Sequence, residues 1–199
     1  MKSVKLRKAM MVPAILFALL AAVSNAPAAE EPGDGEVCHG IGWPDCIGAF
    51  EMFGTDISYE MKGLPTLAVV EKFKDPSKTR VVTWQSLEME GKTEAGDVMT
   101  MTLDTSRESS GTVLSVGNKE FPATATMRFF LRIEIGGLKL VSDRPAVVQG
   151  IIHSVPPADG DVLTLIGDPV EFHQEGEPDL KVGTLKESKV SFKQPAKSR

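Results

Sequence analysis

Glu171, His173 and Glu175 alternate in the run Pro169-Val170-Glu171-Phe172-His173-Gln174-Glu175. On an extended chain all three share one face. Carboxylate, imidazole and carboxylate in a row are the donor types of a divalent-ion site or of an acid–base pair. His153, at the end of an apolar run, is the histidine that could join them, and Asp159 and Asp161 folded opposite would make the site strongly anionic. The competing reading is a solvated strand face in an acidic protein, because period two puts charge on the outer face of any exposed strand. Asp159-Gly160-Asp161 has the spacing of a calcium-binding turn but lacks the remaining ligands of a recognised loop, so it reads as a plain turn.

Cys38 and Cys46 are the only cysteines, eight apart in Cys38-His39-Gly40-Ile41-Gly42-Trp43-Pro44-Asp45-Cys46. In an exported chain such a pair predicts a disulfide, with the glycines and proline turning the chain back on itself. A Cys-x-x-Cys-His haem motif is absent, because position 35 is Gly. A metal site of Cys38, His39, Asp45 and Cys46 has suitable ligand types, but adjacent Cys and His rarely point at one ion. No serine carries a nucleophile motif: Ser115 has Val rather than Gly two residues before it. No His-Glu-x-x-His and no phosphate-cradling glycine loop occurs. The residues therefore advertise no convincing catalytic set and require no cofactor, a divalent metal being the one candidate. Trp43, Phe50, Phe53 and Tyr59 cluster near the cysteines, as a binding platform or as core.

The elements that must position these residues read as strands. Met127, Phe129, Leu131, Ile133 and Ile135 fall on one face of residues 126–135, with Arg128, Phe130, Arg132 and Glu134 on the other. Gly136-Gly137 then turns the chain. In residues 98–103, Met99, Met101 and Leu103 point inward between Thr100 and Thr102. In residues 81–89, Val81, Leu87 and Met89 share one parity, which puts Trp84 on the other face, under a loop or at a sheet rim. Further strands are predicted near residues 50–61, 66–73, 112–116, 146–153, 162–166, 170–173 and 180–185, and no long stretch keeps a helical period with caps. The pattern predicts an all-β fold, an antiparallel two-sheet β-sandwich, with a β-barrel as the alternative.

The first residues set the compartment. Lys2, Lys5, Arg7 and Lys8 precede an uncharged apolar run to Val23, and Ala26-Pro27-Ala28 supplies small residues at signal-peptidase spacing. Residues 1–29 are thus read as a secretory signal peptide, 30–48 as a Gly/Pro-rich lead-in with the disulfide loop, 49–187 as the sandwich domain and 188–199 as a basic flexible tail. The leader holds four of the 22 Lys and Arg and none of the 27 Asp and Glu, so the processed chain carries 18 − 27 = −9. That charge repels phosphate backbones and argues against nucleic acid as a partner. No second apolar stretch is long enough to span a bilayer.

Three segments, Phe129-Phe130-Leu131-Arg132-Ile133-Glu134-Ile135, Val141-Ser142-Asp143-Arg144-Pro145 and Ile151-Ile152-His153-Ser154-Val155-Pro156-Pro157, together resemble a pattern in an uncharacterised family of exported, β-rich bacterial proteins, a domain of unknown function. Phe50-Glu51-Met52-Phe53-Gly54-Thr55-Asp56 resembles the opening of those proteins. The resemblance implies export and strands and supplies no chemistry.

The sequence therefore predicts an exported, non-catalytic protein, periplasmic or secreted. It binds or builds something in the bacterial envelope or outside the cell, its partner being an envelope or extracellular ligand or protein. A metal-binding protein or metal enzyme using His153, His173 and nearby carboxylates is the second expectation. A subunit of a surface assembly that pairs exposed strand edges is the third.

Overall fold

Residues 37–64, 66–71 and 79–193 are described by a computed structural model. The expected signal peptide, residues 1–29, lies outside the described residues. Fourteen strands run in chain order: β1 (Val37–Met52), β2 (Thr55–Gly63), β3 (Thr66–Glu71), β4 (Arg80–Trp84), β5 (Glu88–Thr93), β6 (Val98–Leu103), β7 (Ser110–Ser115), β8 (Ala123–Phe129), β9 (Leu131–Ile135), β10 (Leu138–Ser142), β11 (Ala146–Ile152), β12 (Val162–Leu165), β13 (Val170–Gln174) and β14 (Glu177–Lys193). The described residues contain no helix.

The strands close into an antiparallel barrel rather than stacking as two sheets. Hydrogen bonding continues from β2 into β3, from β4 into β5, and likewise through β6–β7, β8–β9, β10–β11 and β12–β13, against neighbours that are broken at the same height. The wall is therefore eight long strands in up-and-down order, six of them interrupted near mid-height. It has an upper tier (β2, β5, β6, β9, β10, β13) and a lower tier (β3, β4, β7, β8, β11, β12). The unbroken strands β1 and β14 pair along residues 43–52 and 183–193 and close the ring. A single closed wall needs no second sheet, because side chains from opposite strands meet across the axis.

Tight turns link the strands at the upper end. Between β9 and β10, Ile135 pairs with Leu138, so Gly136 and Gly137 alone make the hairpin. Both have positive φ, 57° and 83°, which a two-residue turn matched to strand twist demands. The lower end carries the longer connections, residues 116–122 and 153–161, together with both ends of the described chain.

Period two fills the barrel. Met127, Phe129, Leu131, Ile133 and Ile135 are all buried, as their spacing predicts, and so are Met99, Met101 and Leu103. The parity expected for residues 81–89 is corrected. Val82 and Trp84 face inward and Val81 is exposed, whereas Leu87 and Met89 are buried again. The interruption at residues 85–87 between β4 and β5 resets the alternation, a shift that no reading of one continuous strand contains.

The expected boundaries also move. β1 begins within the predicted lead-in, and β14 extends into the predicted tail, where Val190 and Phe192 are buried and Lys193 pairs with Asp45. Basic residues alternate there with apolar ones, so the lysines mark the outer face of a strand. Phe50 and Tyr59 are core, while Phe53 is exposed in the β1–β2 turn. Phe50 packs edge-on against Phe172, centroids 5.5 Å apart. It sits directly over Gly183, where a Cβ would come 2.4 Å from the ring.

Candidate functional site

The two tiers have different linings. Phe50, Phe172, Met61, Met89, Met99 and Ile133 fill the upper tier, each 2% exposed or less. The lower tier is lined by small residues: Ala68, Val82, Gly111, Val113, Ala123 and Ala125 are all buried there. Between the tiers lies an apolar cavity of about 30 Å³, bounded by Trp84, Met89, Met101, Leu131, Val148 and Phe192 among others. A second cavity of about 20 Å³ lies below it, among Ala68, Val82, Met127 and Ile152, and is closed by Val155, Pro156 and Pro157 of the lower loop. Trp84 and Phe192 line both cavities. Voids of this size and lining stay dry, and each removes packing contacts from the surrounding wall.

Few polar groups reach this interior. The Trp84 Nε1–H donates to the thioether of Met127, 3.4 Å away, a weak acceptor for a buried indole. Cys46 Sγ lies 3.2 Å from Ser188 Oγ and 3.8 Å from Tyr59 Oη, and Tyr59 Oη donates to the Glu187 carbonyl. Burial pushes the Cys46 thiol up, against weaker opposition from its hydrogen bonds to Ser188 and Tyr59. The Tyr59 hydroxyl is also pushed up, first by burial and then by the neighbouring Cys46. A thiol held protonated in this way is a poor nucleophile.

Arg80 is a charged exception to the apolar wall. It alternates with Val82 and Trp84 on the inner side of β4 and is 2% exposed. Its Nη2 lies 3.4 Å from Glu120 Oε1 at the rim. Its Nε and Nη1 are buried and have no hydrogen-bond partner among the described residues. The register sets Arg80 beside Val113, which faces Ala125, which faces Gly150.

The predicted metal residues separate. Glu171 and His173 stay together on the outer face of β13, and the unpredicted Asp143 joins them, with one ligand atom from each within 4.8 Å of the others. His173 Nδ1 is buried without a partner among the described residues. Lys181 donates to Glu171 and, as the leading cause, holds that carboxyl below its ordinary value. Glu175 is instead in the upper turn, bound by Arg132. His153 is at the lower end, with Nδ1 2.7 Å from Asp161 Oδ1. Asp161 also accepts from the backbone N–H of His153 and of Ala158, at 2.9 Å and 2.8 Å. Burial acts to raise the Asp161 carboxyl, but these hydrogen bonds outweigh it and hold the group low. The carboxylate thus pins its own loop.

The expected Cys38–Cys46 disulfide is corrected as well. Cys46 is a free buried thiol, and the two cysteines are eight residues apart on the same strand, β1. An extended chain carries them about 26 Å apart, several times what a disulfide spans. The side chain of Cys38 lies outside the described residues.

A cluster not foreseen from the sequence fastens the wall where β6 breaks into β7. Asp104, 3% exposed, accepts from Ser106 N and Oγ, from Arg107 Nε at 2.7 Å and from Arg132 Nε and Nη2. Arg107 lies over the Phe130 ring, 4.2 Å from its centroid, and donates to the carbonyls of Ser142 and Asp143. Ser109 and Ser142 hydroxyls accept from the N–H groups of Phe130 and Leu131. Side chains thereby satisfy the backbone where the ladder is interrupted.

No protein-family model and no curated protein matches the chain. Among solved structures, the chain is similar to DynF from the dynemicin biosynthesis pathway of Micromonospora chersina. The TM-score is 0.69 at 18% identity over 83% of each chain. At that identity the likeness concerns the fold.

Proposed function

We propose that this protein is exported and non-catalytic, and that it binds one small, largely apolar molecule inside its barrel. The observation that carries this reading is the lower tier, where small residues and two adjoining cavities meet at Trp84 and Phe192. Eight strands enclose an interior that is either filled by side chains or holds one small ligand, and here the two outcomes divide between the tiers. Met89, Met101 and Met127 line the cavities. Their unbranched side chains can repack and enlarge the space for a guest. The buried Cys46 supplies no nucleophile, which supports binding over catalysis.

Trp84 provides the assay. In a Trp43→Phe background Trp84 is the sole tryptophan. Straight-chain alcohols titrated into the processed protein should change its emission saturably at one site per chain. Ala68→Leu, which fills the lower cavity from its lining, should abolish the change while the β-sheet circular dichroism persists. Emission that stays flat through millimolar alcohol would refute the reading.

A second reading rests on Asp143, Glu171 and His173, which offer ligand atoms within 4.8 Å of one another, and on a buried His173 Nδ1 unpartnered among the described residues. There the protein would hold a divalent ion on its outer wall. Titration calorimetry with zinc should then give one site, lost in His173→Ala, and an absence of heat would dismiss it.

A further inference from the structure

Resting on the interior-binding reading, we infer that the guest is an organic acid whose carboxylate docks on Arg80 while its hydrocarbon runs up the barrel toward Trp84. A guanidinium stays charged at any physiological pH. Buried N–H donors without acceptors are costly, and an isolated buried charge more so. Arg80 shows the first cost and, being only partly paired, a share of the second: it is 2% exposed, and its Nε and Nη1 find no acceptor among the described residues. Glu120 reaches only Nη2, from a side chain that is 43% exposed.

The surroundings fit a guest with an anionic head and an apolar tail. Val113 and Ala125, both with short side chains, lie at the level of Arg80 on successive strands, while at Gly150 beyond them the place of a side chain is taken by the Val162 carbonyl. Val82, the next inward residue on β4, already lines the lower cavity, and Trp84 after it lines both. From Arg80 to Trp84 the wall rises about 13 Å, a length that a medium-chain hydrocarbon covers. The processed chain is acidic overall, so its general field repels anions. Selection for a carboxylate must therefore come from one sheltered cation, whose charge-assisted hydrogen bonds are the strong kind.

The experiment compares decanoate with decanol on the processed protein at neutral pH, read by Trp84 emission in the Trp43→Phe background. Decanoate should bind about tenfold or more tighter than decanol, the range for hydrogen bonds to a charged group. Arg80→Met should erase that preference and leave decanol binding within about twofold. Glu120→Gln, a change at the rim that releases Nη2, should tighten decanoate and not decanol, and it keeps the test decisive should Arg80→Met fail to fold. Equal binding of acid and alcohol, with Glu120→Gln without effect, overturns the anchor and leaves interior binding standing. If neither compound binds the unmodified barrel, the interior-binding reading falls and the anchor falls with it.

Discussion

Asp104 should make the barrel acid-sensitive by a calculable amount. Burial acts to raise its carboxyl, but hydrogen bonds from Ser106, Arg107 and Arg132 overcome that and bring it to about 2 from an ordinary 3.8. At ~1.4 kcal/mol per pH unit the difference is worth about 2 kcal/mol of stability. A carboxyl held low in the folded state contributes fully above its unfolded value, and the contribution drains away as pH falls from 3.8 toward about 2. Asp104→Asn removes the charge and one of the two acceptor oxygens, so Arg107, on Oδ2, and Arg132, on Oδ1, can no longer both be satisfied. Their side chains are 31% and 40% exposed, so water softens the loss, and the cost at neutral pH should be about 2–3 kcal/mol. Urea unfolding of the protein, followed by tryptophan emission at neutral pH and near pH 2, measures both. The gap between wild type and variant should narrow to under about 1 kcal/mol in acid. Acid protonates other carboxylates equally in both proteins, so the narrowing isolates Asp104. A gap that stays constant across the range would show that the side chain acts by packing alone, and the electrostatic argument would fail.

Three further outcomes follow from the same geometry. In a Cys38→Ser background, Cys46 should resist a thiol reagent in native buffer and react in urea, because its burial disfavours the thiolate; rapid native labelling would contradict this. Gly183→Ala should cost about 1–3 kcal/mol by overpacking, since the added carbon would meet the Phe50 ring at 2.4 Å; an unchanged urea midpoint would mean the ring yields freely. Asp161→Asn should loosen residues 153–161, seen as faster amide exchange at His153 and Ala158, whose N–H groups it accepts. In the unmodified protein the same amides should exchange faster, relative to the rest of the barrel, as pH falls through the lowered Asp161 value, because protonation removes the charge that holds them.

Alternation made the strands legible. Residues 126–135 and 98–103 needed only period two to be assigned, and Gly136-Gly137 only its composition, because those signals are local. The sheet count was not local. Whether inward rows meet across two sheets or around one closed wall depends on the pairing of β1 with β14, more than a hundred residues apart in sequence. The cysteine spacing misled because glycine and proline allow a turn without requiring one, and here pairing with β2, β3 and β14 holds that segment extended. Glu175 shared the parity of Glu171 and His173 in sequence but was drawn off by Arg132, while Asp143 arrived from another strand.

The sequence by itself determined that this chain is built of strands, with one face of each apolar, since side-chain alternation is a property of the extended backbone. The tertiary structure alone decided which residues share a space. It closed the strands into a barrel, reset the alternation at residues 85–87 so that Trp84 and Met89 both face inward, and left Arg80 buried with donors unpaired among the described residues. Those outcomes depend on contacts between segments distant in the chain, and residue spacing carries no record of such contacts.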